Sequence, residues 1–168
     1  MRARTGFFWI AGLSLSMSLV LGCKTPHALS GDHHGHEALS VVPDQEKEIA
    51  LHKGLDGPRK TQGIAGVETL VGLELGSEFE GLSGQQMRAR ALVIAPGGVV
   101  AVHQHEQRPG FAYILEGEIV EYRNDTEGPI IRKAGDVAVE RTGVSHWWEN
   151  KSGKEVRALV VDIVPIEK

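Results

Sequence analysis

Cysteine is nearly missing from this chain, since Cys23 is the only one among 168 residues. The sequence also has no Gly-x-Ser-x-Gly pattern and no phosphate-binding glycine loop, so it offers neither of these catalytic or nucleotide-binding devices. Basic residues do not dominate, because 18 Lys+Arg face 22 Asp+Glu and the formal charge is −4. This balance gives no reason to expect a nucleic-acid partner. No repeat of fixed period is visible, which argues against a solenoid or a propeller.

The N-terminus lacks an apolar run long enough to cross a membrane. Arg2 and Arg4 precede an apolar stretch from Phe7 to Leu21, which is shorter than the roughly 20 residues that a spanning helix needs. A basic start, a short apolar centre and a small residue near its end are typical of a secretory signal. We therefore predict a signal peptide over residues 1–22, with a membrane helix as the alternative.

The end of this segment, Val20-Leu21-Gly22-Cys23, resembles the lipobox of bacterial lipoproteins, although Leu21 is bulkier than usual. The resemblance implies cleavage before Cys23 and lipidation of its thiol and new amino group. Acylation would remove an unpaired thiol from an oxidising compartment, and several acyl chains anchor more firmly than one. Lys24 stands where aspartate would favour inner-membrane retention. We expect a periplasm-facing lipoprotein in the outer membrane of a bacterium, attached through its N-terminal lipid.

Residues 23–62 show no sustained apolar periodicity and carry scattered proline, glycine, serine and charge. This composition predicts a flexible tether, with a short helical turn compatible with residues 45–51. The tether contains a histidine tract, and His33, His34 and His36 are weak candidates for loose metal gathering. The alternative is a polar spacer without a metal role.

The sequence pattern changes at Gly63. From there, short β-prone runs alternate with turn sequences such as Pro96-Gly97-Gly98 and Lys151-Ser152-Gly153. Many short strands at this spacing predict an all-β sandwich or barrel over residues 63–168. The β-prone runs are Val67–Leu73, Arg88–Ile94, Val99–His103, Ala112–Leu115, Glu118–Tyr122, Ile130–Lys133, Val137–Val139, Trp147–Asn150 and Val156–Val164.

Three histidines in this region have the pattern of a metal site. His103 and His105 are two residues apart, so on a strand both imidazoles project from the same face. His146 begins another β-prone run, and a closed sheet can bring such distant strands side by side. We predict that these three residues hold one divalent ion, Fe, Zn, Mn, Ni or Cu. Three protein ligands leave coordination positions open, as catalytic sites do.

The context of these histidines resembles the two motifs of the cupin superfamily, in its small single-domain bacterial form, over residues 63–168. The first motif has Gly97, His103, His105 and the Tyr113–Gly117 run, and the second has Gly135, Thr142-Gly143, His146 and Asn150. The resemblance implies a double-stranded β-helix, a jelly-roll-like barrel with the metal at its centre. It also implies a homodimer as an option.

Two positions depart from the family pattern. Gly110 occupies the slot of the family's glutamate ligand, and Arg141 occupies that of a proline. A site of three neutral histidines adds no charge to the ion, so we expect it to favour a small anionic partner. Glu106 is an alternative carboxylate, but as the neighbour of His105 on a strand it should point to the opposite face.

The candidates for contact with that small anion are Trp148, Tyr113, Arg90 and Gln104. No catalytic residue is assigned, because any chemistry would belong to the metal. Two functions remain open. The first is a mononuclear, dioxygenase-like oxidoreductase acting on a small anionic organic substrate. The second is a non-catalytic cupin that binds a metal or a small acid, as a sensor or storage protein.

Overall fold

The computed structural model describes residues 41–51 and 55–166, which fall within one compact unit. The described residues form one antiparallel sheet, in which β1 pairs with β2 and the other strands follow the order β5-β4-β7-β2-β8-β3-β6. The sheet closes almost completely into a barrel, which confirms the predicted fold class. The elements are α1 (Asp44–Leu51), β1 (Gln62–Glu74), β2 (Gln85–Gln104), β3 (Gly110–Glu116), β4 (Glu118–Arg123), β5 (Ile130–Lys133), β6 (Val137–Glu140), β7 (Ser145–Glu149) and β8 (Val156–Pro165).

Strand β2 is the longest element and joins two parts of the barrel. Its first half pairs with β8 and its second half pairs with β7. The sequence predicted two strands separated by a turn at Pro96-Gly97-Gly98. The structure instead has one continuous strand that bends there, and Gly97 has a φ of 74°, in the left-handed region that favours glycine. The Pro96-Gly97-Gly98 sequence therefore bends the strand without ending it. The residues before it pair with β8 and those after it pair with β7.

The interior of the barrel is filled by every second side chain of each strand. On β3, Ala112 and Ile114 are fully buried, whereas Phe111 and Tyr113 are 42% and 37% exposed. This alternation is the usual pattern of a sheet with one face on the core. The core contains Leu92, Ile94, Val100, Ala112, Ile114, Ile119, Ala138, Trp148, Val156, Ala158 and Val160, together with Val42 from the N-terminal segment.

Helix α1 lies in the segment that the sequence analysis placed in the tether. Asp44 and Glu46 stand in its first turn, where acidic side chains suit the positive end of the helix dipole. Val42 and Ala50 are 1% and 0% exposed, and Val42 belongs to the core cluster of the barrel. Burial against the core therefore begins before residue 63. The helix falls where the predicted helical turn was placed.

The signal segment 1–22, Cys23, and the tether from 24 to 40 with His33, His34 and His36 lie outside the described residues. Within the ranges that the structure describes, no helix combines the length and the apolar character needed to cross a membrane.

Candidate metal centre

Strands β2 and β7 bring the three predicted histidines together inside the barrel. His103 and His146 are direct cross-strand partners, and His105 follows His103 by two residues. Their potential ligand atoms all lie within 4.8 Å of one another. None of the three side chains is more than 5% exposed. The convergence expected from their spacing is therefore present, and the binding of an ion there stays a prediction.

Each imidazole is oriented by a hydrogen bond at its Nδ1 atom. Carbonyl and carboxylate oxygens only accept hydrogen bonds, so each ring carries its proton on Nδ1 and presents a lone pair on Nε2. Metal-binding histidines commonly have such a partner, because it fixes both the ring and its tautomer. The three acceptors are Ala101 O for His103 at 2.8 Å, Arg108 O for His105 at 3.1 Å and Glu121 Oε1 for His146 at 2.7 Å.

The Nε2 atom of His146 lies close to those of the other two rings. His146 Nε2 lies 2.9 Å from His105 Nε2 and 3.1 Å from His103 Nε2. Two ligands with bonds of about 2.1 Å to one ion are roughly 3.0 Å apart at a right angle and roughly 3.4 Å apart in a tetrahedron. Lone pairs this close repel one another unless a cation lies between them. The donor set therefore fits one divalent ion, and imidazole nitrogen is a good ligand for Zn, Cu, Fe and Ni.

Burial keeps His103 and His105 neutral. Burial, reinforced by the nearby His146 and His105 rings, holds the pKa of His103 well below its ordinary value. Burial also lowers the pKa of His105 to about 2, with smaller effects from His146 and Arg108. Only an unprotonated imidazole can bind a metal. Both rings are thus in the binding form at neutral pH.

Glu121 on β4 is a site residue that the sequence analysis missed. It is fully buried and accepts hydrogen bonds from His146 at 2.7 Å, Arg132 at 2.7 Å and Arg123 at 3.0 Å. Burial alone would raise the pKa of Glu121, but the hydrogen bonds from His146 and Arg132 and the charge of Arg123 lower it to about 2. Its signal in the sequence is a charged residue two places after Ile119, on the inward face of an apolar strand.

A second carboxylate, Glu140 on β6, also faces the histidines. It is 5% exposed, with Oε1 3.9 Å from His146 Nε2 and Oε2 3.6 Å from His105 Nδ1. Burial raises the pKa of Glu140, while the nearby His146 and Arg108 oppose this shift. The sequence analysis expected no carboxylate beside the histidines, and Glu140 corrects that expectation. Glu106, the alternative considered there, is exposed.

The four candidates for contact with an anion are divided by the faces of their strands. Arg90 and Trp148 line a cavity beside His103. Tyr113 lies on the outer face of β3, since its two neighbours point inward, and its contact with an anion stays a prediction. Gln104 follows His103 directly, is 2% exposed and lines a larger cavity together with Arg90 and Arg108. Its side-chain oxygen accepts a hydrogen bond from Glu106 N. Its contact with an anion stays a prediction.

Three arginines surround Asp162 beside this cavity. Asp162 accepts hydrogen bonds from Arg88 at 3.1 Å, from Arg90 at 2.8 Å and from Arg108 at 3.1 Å. Arg108 also donates to both carboxylate oxygens of Glu46 on α1, at 2.7 and 2.6 Å. Burial alone would raise the pKa of Asp162, but the hydrogen bond from Arg88 and the charges of Arg90 and Arg108 lower it. This buried network is therefore ionised.

The cavity beside His103 has a volume of about 30 Å³. This is space for roughly two water molecules. Its polar wall includes Arg90, Arg108 and Glu140, and its apolar wall includes Leu92 and Trp148. The cavity is thus small, partly charged and next to a predicted ligand of the metal.

The antiparallel barrel presents three buried histidines, one on β2, one just beyond its end and one on β7, as the resemblance to the cupin motifs implied. Residues 91–162 match the family model described as a cupin domain. An oxalate-binding protein from Thermotoga maritima is 38% identical over 88 residues, which cover 49% of this chain and 71% of that protein. This chain belongs to the cupin superfamily.

Solved structures similar to this chain include a predicted oxalate decarboxylase from Thermotoga maritima. It is 25% identical, with 62% of this chain and 98% of that chain covered and a TM-score of 0.43. Another is the cupin domain of Cnp3 from Schizosaccharomyces pombe, 17% identical with a TM-score of 0.48. The match covers 62% of this chain and 63% of the Cnp3 chain, slightly less than two thirds of the latter.

Proposed function

We propose that this protein holds one divalent metal ion on His103, His105 and His146 and uses it to bind a small carboxylate anion of the oxalate class. The observation that carries the proposal is the convergence of three Nε2 lone pairs on rings fixed through Nδ1. An ion with open positions supplies a Lewis acid to which a carboxylate can bind. The oxalate-binding relative supports the choice of anion.

Arg90 supplies a second contact for such an anion. Its buried guanidinium lines the cavity beside His103, and its Nε has no hydrogen-bond partner within residues 41–51 and 55–166. Arg108 is more fully engaged, since three of its hydrogen bonds go to Glu46 and Asp162. A guanidinium is well suited to a carboxylate because it donates several hydrogen bonds in one plane. Arg90 would therefore orient the anion from the side of the cavity.

The space directly beside His103 is small, and a larger cavity of about 620 Å³ shares Arg90 and Arg108 with it. A space of about 30 Å³ holds roughly two water molecules, so a two-carbon acid that displaces them fits better than a long or branched one. Leu92 and Val160 contribute apolar wall, where extra polar groups of a larger acid would lose their hydration. This favours oxalate over larger dicarboxylates.

The test is calorimetric titration of the full chain in detergent, loaded with Mn²⁺ or Zn²⁺, against oxalate, malonate and acetate. We expect saturable binding of oxalate, its loss in His146→Ala, and a weakening of about 10- to 150-fold in Arg90→Gln, the equivalent of one charged hydrogen bond. Arg59→Gln is the matched control, because Arg59 is exposed. A variant without residues 27–36 separates metal on the barrel from metal on the histidine tract. No oxalate binding by the metal-loaded chain would refute the proposal.

Oxygen-dependent turnover is a second candidate function. It is favoured by the cavity, which places the buried, apolar Trp148 and Leu92 beside His103 and so limits access of water to the site. Candidate acids, thiols and diketones are supplied to the Fe(II)-loaded chain in an oxygen electrode. Oxygen uptake that is lost in His146→Ala supports an oxidoreductase, whereas tight binding without consumption supports the binding protein.

The cell envelope remains the proposed location, with Cys23 as the lipid-bearing residue. The support is the N-terminal sequence alone. Palmitate labelling of the expressed chain, followed by membrane fractionation, tests it. Labelling and outer-membrane recovery should both disappear in Cys23→Ser, and an unlabelled wild-type chain would exclude the anchor.

A homodimer is proposed from the outer face of the barrel. Phe111 pairs with Val139, and Tyr113 pairs with Val137, so four apolar side chains that are 37–51% exposed lie together on β3 and β6. Apolar surface of this kind commonly marks an interface. Sedimentation should give a dimeric mass for the wild type and a monomeric mass for Val139→Lys, whereas equal masses would refute this face as the interface.

A further inference from the structure

Glu140 is a buried carboxylate near two arginines, and one of its oxygens has no hydrogen bond among the described residues. It is 5% exposed, and the oxygen concerned is Oε2. Taking an uncompensated carboxylate out of water is costly, and buried charges in proteins are paired or bound to metals. Among its neighbours are two of the predicted metal ligands, with His146 Nε2 3.9 Å from Oε1.

Gly110 explains why Glu140 occupies this place. The two residues are cross-strand partners on β3 and β6, so their side-chain positions share one face of the sheet. A Cβ atom at Gly110 would lie 2.2 Å from Val161 O and 2.9 Å from Asp162 Cα. No side chain fits there on this backbone. The interior space beside the histidines is thereby open to Glu140 from the neighbouring strand.

The distance from Glu140 to His146 agrees with a shared ion. With bonds of about 2.1 Å, two ligands of one ion are separated by roughly 3.0 Å when adjacent and by roughly 4.2 Å when opposite. The separation of 3.9 Å between Glu140 Oε1 and His146 Nε2 lies within this span. We infer that Glu140 is a fourth metal ligand, a carboxylate supplied by β6 where β3 has only Gly110. The inference rests on the proposed metal site.

A carboxylate ligand changes the preference of the site. It lowers the net charge of a divalent centre from +2 to +1, and it adds a hard oxygen donor to three nitrogen donors. Oxygen donors suit Mn²⁺ and other hard ions better than Cu²⁺. Loss of Glu140 should therefore weaken Mn²⁺ binding more than Zn²⁺ or Cu²⁺ binding.

The test compares Glu140→Gln with the wild type in the full chain, by competition with a chromophoric chelator and by the visible spectrum of bound Co²⁺. We expect Mn²⁺ affinity to fall on the order of 100-fold or more, beyond the 10- to 100-fold typical of residues that only support a ligand. The Co²⁺ spectrum should change as one donor is lost. Glu106→Gln is the matched control, since Glu106 adjoins His105 in the sequence but is exposed.

Thermal unfolding separates a ligand from a packing residue. Without metal, Glu140→Gln should unfold at the same or a higher temperature than the wild type, because burial disfavours the charged carboxylate more than the nearby Arg108 and Arg90 favour it. Addition of Mn²⁺ should raise the Tm of Glu140→Gln by less than it raises the Tm of the wild type. Wild-type Mn²⁺ affinity and an unchanged Co²⁺ spectrum in Glu140→Gln would overturn the inference alone. Failure of the wild type to bind any divalent ion would overturn the proposed function itself.

Discussion

Replacing Glu121 with glutamine should weaken metal binding without altering a ligand atom. The carboxylate accepts the Nδ1 hydrogen bond of His146 at 2.7 Å, and both side chains are buried. Glutamine keeps the volume, removes the charge and replaces one acceptor oxygen with a donor. A hydrogen bond to a charged group contributes about 1.5–3 kcal/mol, which corresponds to about 10- to 150-fold in an equilibrium constant. The known effect of such supporting residues is similar, about 10- to 100-fold.

The assay is chelator competition with Zn²⁺ at a temperature where both proteins are folded, as checked by circular dichroism. This check matters because Glu121 also accepts hydrogen bonds from Arg123 and Arg132, so the substitution will lower the free energy of unfolding as well. Glu149→Gln on β7 is the control, since Glu149 pairs with Lys151 at 3.2 Å and is partly exposed. A Kd for folded Glu121→Gln within twofold of the wild type would refute the supporting role of this hydrogen bond.

Three further predictions concern stability. Asp162→Asn should lower the free energy of unfolding by about 3–5 kcal/mol at neutral pH, because it removes the acceptor of buried guanidinium groups. Since the folded state lowers the pKa of Asp162, that stabilisation is present above the ordinary carboxylate pKa and is lost as the pH falls. Urea unfolding curves of the two proteins should thus converge toward acid pH, and a constant gap would contradict this. Gly110→Ala should destabilise by about 1–3 kcal/mol or more, because its Cβ meets backbone atoms of β8, and unchanged denaturant unfolding would count against that crowding. Chelation of the metal should lower Tm. The free energy of unfolding should fall by about 2.7 kcal/mol relative to protein with free metal at 100 times Kd. An unchanged Tm in calorimetry would show that the ion does not stabilise the folded state.

The sequence alone predicts the parts of the site that depend on local geometry. Residues two apart on a strand share a face, and this rule predicted that His103 and His105 lie together. They do so in the structure, although His105 lies one residue beyond the end of β2. The resemblance to two cupin motifs adds His146, which the register of β2 and β7 places opposite His103. The barrel itself follows from many short β-prone runs and their turns.

The parts that failed depend on pairing between distant strands. Glu121 and Glu140 reach the histidines only because β4 lies beside β7 and because β3 pairs with β6. No local pattern reveals which strands will be neighbours. The outward orientation of Tyr113 was not predictable for a related reason, since its run is apolar on both faces and gives no alternation by which to choose the inward one.

Helix α1 illustrates the same division. Acidic residues near its start make a helical turn predictable from residues 44–51 alone. Its attachment is not predictable in this way, because Glu46 meets Arg108, 62 residues further along the chain. The sequence analysis therefore placed a segment with buried Val42 in the tether.

Arg108 makes two contacts of different kinds, and together they have a thermodynamic consequence. Its guanidinium binds Glu46 of α1, while its carbonyl oxygen accepts the hydrogen bond that orients His105. Helix docking and ligand orientation thus share one residue. If docking changes the affinity for the ion by some factor, linkage requires that the ion changes the docking equilibrium by the same factor. Under such coupling, a force on the chain N-terminal to this helix that undocks it would change the metal occupancy. Binding of the metal would in turn stabilise the docked helix.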